Sequence, residues 1–126
     1  MKFQPDTFAG SNAISRHEPG AVWVNNQRFE GSLLVPWKGE VRPWSAERHA
    51  TLASTHFDEV LALKPELVIF GSGARLRFIS AALYRGLIEA RIGLETMDSA
   101  AACRTYNVLA AEGRSVVAAL LPGSTD

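Results

Sequence analysis

The residues best placed to do chemistry gather where the apolar run Glu66-Leu67-Val68-Ile69-Phe70 ends in Gly71-Ser72-Gly73, with Arg75 and Arg77 just beyond. A strand, a glycine turn and a helix in that order aim backbone N–H groups and a positive helix end at an anion. Ligands of open α/β sheets also gather beyond the carboxyl ends of the strands. The spacing matches neither G-x-G-x-x-G nor G-x-x-x-x-G-K-S/T, so neither nucleotide fingerprint is present. Beside the ligand reading stands a plainer one, in which the two glycines let the chain turn sharply and pack closely. Glu95, in the next strand candidate, is expected beside this turn. Its carboxylate would pair with Arg75 or Arg77, hold a ligand or act as a base; the plainer role is a salt bridge or a capping partner near Asp98 and Ser99.

Three more polar residues complete the candidate ligand set. Tyr106 and Asn107 lie mid-helix in Thr105-Tyr106-Asn107, three mediocre helix formers. Something other than propensity must hold them there, either bonds to a neighbouring loop or a partner. Arg114 follows the helix-ending Gly113 and complements the negative helix end. Cys103 is read one position off its helix's apolar stripe, and a free cysteine is more often a small buried hydrophobe than a nucleophile. His17, His49 and His56 share no ligand spacing, so no metal site is expected. No G-x-S-x-G elbow exists, and Ser72 is only a truncated echo of one. Trp23, Trp37 and Trp44 suit an interface as well as they suit the filling between a hairpin and a sheet.

The elements that must position these residues change period midway. Val22-Trp23-Val24, Asn25-Asn26 and Gln27-Arg28-Phe29-Glu30 read as a β-hairpin, because asparagine tolerates the positive φ of a two-residue turn. Gly31 to Pro36 continues as strand and ends at the proline, Asn12 to His17 is an earlier strand, and Lys38 to Pro43 holds a short one. From Ala50 to Leu63 the spacing of Phe57, Val60 and Leu61 predicts a helix closed by Pro65. A strand to Phe70 follows, then a helix with the stripe Ile79, Ala82, Leu83 and Leu87, then a strand from Arg91 to Thr96. The third helix starts at Asp98 or Ser99, carries the stripe Ala101, Thr105, Val108, Leu109 and Glu112, and stops at Gly113. Ser115 to Leu121 is the last strand, and the tail beyond Pro122 is expected to fray. Helix–strand alternation repeated three times implies a largely parallel sheet. The expectation is an α/β domain with an N-terminal hairpin region and a C-terminal (αβ)3 portion, residues 1–126 forming a single domain with an ordered core of about 8–122.

Composition narrows the function. Lys plus Arg equals Asp plus Glu at 13 each, so the net charge is zero and no basic stripe suggests nucleic acid. A homodimer is compatible with that zero charge. One cysteine excludes an intrachain disulfide and suits a reducing compartment. Met1 to Asp6 lacks the apolar run of a secretory signal, and no stretch approaches the roughly 18 apolar residues of a membrane span. A cytoplasmic location without membrane insertion is expected.

Pro65 to Gly73, Gly93-Leu94-Glu95-Thr96-Met97-Asp98, Ala102 to Leu109 and Glu112-Gly113-Arg114-Ser115-Val116-Val117-Ala118-Ala119-Leu120 together resemble domain-of-unknown-function family 498. Its eukaryotic members include a mitochondrial respiratory complex I assembly factor. The resemblance runs from about Phe8 to Pro122, with Thr-Tyr-Asn and Glu-Gly-Arg its most specific elements, and is to a bacterial-type member. Family patterns carry Thr where this chain has Ser72. The resemblance implies a compact three-layer α/β domain with mixed sheets, in a family with no established catalytic activity whose mitochondrial relatives act by protein–protein contact, and no cofactor is expected. Two functions are therefore carried forward. The first is a binding protein that assists assembly of a respiratory or membrane complex, through the Gly71–Arg77 turn with Glu95 and Arg114 or through the tryptophan-rich face. The second is an anion-binding protein or enzyme, with Gly71, Ser72, Gly73 and Arg75 holding the anion and Glu95 as the acid–base group.

Overall fold

The computed structural model describes residues 10–124. The expected start of the ordered core at Phe8, and the tail residues Thr125 and Asp126, lie outside the described residues. Strands β1 (Ile14–Glu18), β2 (Ala21–Val24) and β3 (Gln27–Glu30) form an antiparallel sheet in that order. Asn25 and Asn26 take φ of 52° and 69° between β2 and β3, the left-handed pair that lets a two-residue turn follow the twist of its strands.

The second sheet contains β4 (Leu33–Pro36), β5 (Arg42–Pro43), β6 (Leu67–Gly71), β7 (Gly93–Met97) and β8 (Val116–Leu120), in the order β5-β4-β8-β6-β7. β8, β6 and β7 run parallel, while β4 joins β8 antiparallel and β5 joins β4 antiparallel. The parallel portion follows from the helical crossovers α2 (Arg85–Glu89), between β6 and β7, and α3 (Ser99–Ala111), between β7 and β8, while α1 (Ser54–Leu61) leads into β6.

Alternation along the central strands divides the core into two. Val116, Ala118, Leu120 and Ile69 face one side, with Leu33, Val35, α3 and the three-stranded sheet. Val117, Ala119, Val68, Phe70 and Leu34 face the other, with Phe57 and Val60 of α1 and Leu87 of α2. Apolar side chains cover both faces, which is why β6 and β8 read as uninterrupted apolar runs. The layers are thus α1 with α2, the five-stranded sheet, and α3 with the three-stranded sheet.

Several boundaries differ from expectation. The Ala50–Leu63 helix is a 3-10 turn at His49–Thr51 followed by α1, and Lys64, with φ of 52°, reverses the chain before Pro65. No helix follows Gly73: residues 74–80 are irregular, and helical structure resumes with a 3-10 turn at Ala81–Tyr84 leading into α2. On α3 the buried face is Ser99, Ala102, Cys103, Tyr106 and Ala110, one position round from the expected stripe, and Val108 is 58% exposed. Cys103 therefore belongs to the stripe. In the tail, Gly123 sits against the His17 ring and Pro19, and Ser124 lies beside Gly20.

Candidate functional site

The carboxyl ends of the three parallel strands are knitted together by two buried serines. Ser72 N donates to Met97 O at 2.8 Å, and Gly73 N donates to Ser99 Oγ at 2.9 Å. Ser99 Oγ donates to Leu121 O at 2.7 Å, and Leu121 N donates to Gly71 O at 2.9 Å. The Ser72 hydroxyl accepts from Arg77 N at 3.0 Å and lies 2.7 Å from the Arg75 carbonyl. The N–H groups of Ser72 and Gly73, which an anion would need, are thus already donating within the protein. Asp98 caps α3 by accepting from Ala101 N at 2.9 Å, a second use of donors at that helix end.

Both glycines of the turn have a structural reason. A Cβ on Gly71 would lie 2.9 Å from Leu120 Cδ2, 2.9 Å from Ser99 Oγ and 3.0 Å from Ser99 Cα, so α3 approaches β6 as closely as it does only because no side chain intervenes. Gly73 has φ of 105°, a conformation that L side chains rarely adopt.

Beyond the turn the chain leaves the sheet and exposes apolar side chains. Leu76 is 50% and Phe78 72% exposed, between the exposed Arg75 and the half-buried Arg77 and Ile79. The segment is nevertheless held on both sides of Leu76, by Ser72 Oγ on Arg75 O and Arg77 N and by the His49 Nε2 contact to Phe78 O at 2.9 Å. Sequence reasoning missed Leu76 and Phe78. The available signal was the strict alternation Arg75-Leu76-Arg77-Phe78, a period of two that does not suit a helix.

The eight candidate residues do not converge on one pocket. Gly71, Ser72, Gly73 and Arg75 share the strand-end turn. Glu95 is exposed on β7 opposite Ile69, two residues short of the position opposite Gly71, and among the described residues it makes no ion pair with Arg75 or Arg77. Tyr106 and Asn107 bind the layers together. The Tyr106 hydroxyl is shared between Pro36 O at 2.9 Å and Asn12 O at 3.1 Å. The Asn107 amide accepts from Ile14 N and donates to Ile14 O, both at 2.8 Å, replacing a neighbouring strand on the edge of β1. Arg114 lies at the opposite end of the parallel strands, bonded through Nη2 to Glu66 Oε2 at 3.2 Å, while Glu66 Oε1 accepts from Ser115 N at 3.1 Å.

The tryptophans divide in the same manner. Trp44 is buried edge-on to Phe57 and Phe70 and donates from Nε1 to His56 O at 3.0 Å. Trp37 donates to Ala110 O at 3.1 Å and carries Lys38 over its ring. Trp23 lies beneath the guanidinium groups of Arg16 and Arg28.

A groove of about 370 Å³ runs between β1 and α3, lined by Arg16, His17, Cys103, Arg104 and Asn107 among others. Burial pushes the His17 imidazole below its ordinary pKa, opposed by the Asp98 carboxylate and aided by Arg104, and Nε2 has no hydrogen-bond partner among the described residues. Burial also pushes the Cys103 thiol up to about 12, with Arg104 lowering and Asp98 raising it. A thiol held protonated in this way is no nucleophile at neutral pH. Among the described residues no three His, Cys, Asp or Glu side chains come together as metal ligands, and no helix is long and apolar enough to cross a membrane.

Known proteins share this architecture. The chain is 33% identical to an uncharacterized protein of Rhodobacter capsulatus over 120 residues, covering 91% of this chain and 88% of that one. It is 31% identical over 112 residues to human NADH dehydrogenase [ubiquinone] 1 alpha subcomplex assembly factor 3, covering 86% of this chain but 60% of the human protein. A crystal structure of a protein from Bordetella parapertussis superposes with a TM-score of 0.85 at 35% identity, covering 90% of this chain and 97% of the other. The family model of proteins of unknown function DUF498/DUF598 matches residues 14–121, and the chain belongs to that family.

Proposed function

We propose that this chain is a non-catalytic binding protein that assists the assembly of a respiratory or other membrane protein complex by direct contact with a protein partner, and that Leu76 and Phe78 make the contact. The observation that carries this reading is their exposure on a segment held by hydrogen bonds at Arg75, Arg77 and Phe78. Burying a Leu or Phe side chain is worth about 1.5–3 kcal/mol, so a partner that covers both recovers several kcal/mol. A segment already held in place loses little further entropy on binding. The name of the human relative, an assembly factor, supports the same direction.

The test is complementation. In a cell whose own copy is deleted, the unaltered chain restores membrane respiratory complexes on native gels, and L76D/F78D, although folded, does not. Full rescue by L76D/F78D would remove this segment from the contact. No change in any membrane complex on deletion would remove the assembly role.

A further inference from the structure

The connection between β6 and β7, residues 72–92, differs in character from the rest of the surface. Among the described residues, three of the four exposed large hydrophobic side chains, Leu76, Phe78 and Ile88, lie in it. So do Arg75, Arg77, Arg85 and Arg91, against the single acidic residue Glu89, in a chain whose overall charge is zero. Positive charge and exposed apolar surface are thus concentrated in one connection, and the opposite charge lies elsewhere on the chain.

We propose that the partner segment received here is an acidic amphipathic stretch of protein, with apolar side chains covering Leu76 and Phe78 and carboxylates meeting Arg75 and Arg77. This rests on the proposed protein contact at Leu76 and Phe78 and specifies its chemistry. Charge complementarity selects a partner of negative sign. All four cations are arginine and none is lysine, and the planar guanidinium matches a carboxylate bidentately. The apolar surface selects protein over a lipid surface, since three exposed apolar side chains are few beside the continuous apolar face with which an interfacial helix enters a bilayer.

The test titrates the isotope-labelled full chain with two synthetic helical peptides of the same leucine pattern, one carrying glutamate and the other glutamine at its polar positions, and follows amide shifts by NMR. The glutamate peptide is expected to shift Arg75 to Phe78, to bind about tenfold or more tightly than the glutamine peptide, and to weaken with added salt. R75E/R77E, which leaves the Arg77 backbone bond to Ser72 in place, is expected to reverse the preference. Equal binding of the two peptides at this segment would overturn the acidic partner and leave the apolar contact standing. Shifts confined to other parts of the chain would overturn the surface itself. No binding of either peptide, with binding instead to vesicles of phosphatidylcholine and phosphatidylglycerol, would replace the protein partner by a membrane.

Discussion

Tyr106 is a core residue with a polar end: its ring is fully buried in α3, and its hydroxyl reaches the carbonyls of Asn12 and Pro36, the second of which also accepts from Asn12 Nδ2 at 2.9 Å. Burial alone lifts its pKa above the ordinary tyrosine value, so the group stays a donor. Tyr106→Phe is expected to cost about 1–3 kcal/mol in urea unfolding, the penalty for removing the hydroxyl from the buried Asn12 carbonyl. Cys103 lies one turn earlier on the same face, and its thiol titrates near 12 instead of its ordinary 9.0 because it is buried. Iodoacetamide at about pH 8 should leave it unlabelled in the native protein and label it fully in urea. Since the folded thiol holds its proton to higher pH than the unfolded one, the stability it contributes is complete below pH 9.0 and declines as pH rises towards about 12. Native labelling at pH 8 would mean that the groove beside α3 opens.

At the level of elements, the join between β6 and α3 decides how the strand ends are closed. The two elements are bridged by Gly73 N to Ser99 Oγ and by Ser99 N to Gly73 O, both at 2.9 Å. Gly71→Ala places a methyl 3.0 Å from the backbone of Ser99, and backbone moves less readily than a side chain. An overpacking cost of about 1–3 kcal/mol is expected, read as a lower thermal midpoint. A midpoint unchanged from the parent would mean that α3 slides away freely. The glycine turn was legible in the sequence as a turn, but its employment was not. The bonds that occupy its N–H groups come from Ser99 and Met97, more than twenty residues away, and no local pattern announces them.

Across the whole molecule, three layers bury the sheet on both faces and leave the β6–β7 connection as the place where apolar surface and positive charge are exposed together. Because Leu76 and Phe78 are exposed, L76D/F78D is expected to change unfolding free energy by no more than about 0.5 kcal/mol while abolishing complementation. A large loss of stability would show instead that these side chains pack within the fold.

Local chemistry by itself determined the hairpin, where Asn25 and Asn26 accept positive φ, the buried β6 and β8, where apolar residues run without interruption, and the start of α3, where Asp98 caps its own helix. Each depends on neighbours within a few residues. Only the tertiary structure decided which face of α3 is buried. Alanines at 100–102, 110 and 111 leave that helix little contrast between its sides, so the packing of Tyr106 and Cys103 against the sheet sets its rotation. It also decided the fate of Gly71–Phe78. The turn would present free N–H groups to a ligand if it stood alone, and its donors are taken because β7, α3 and the end of β8 arrive there together.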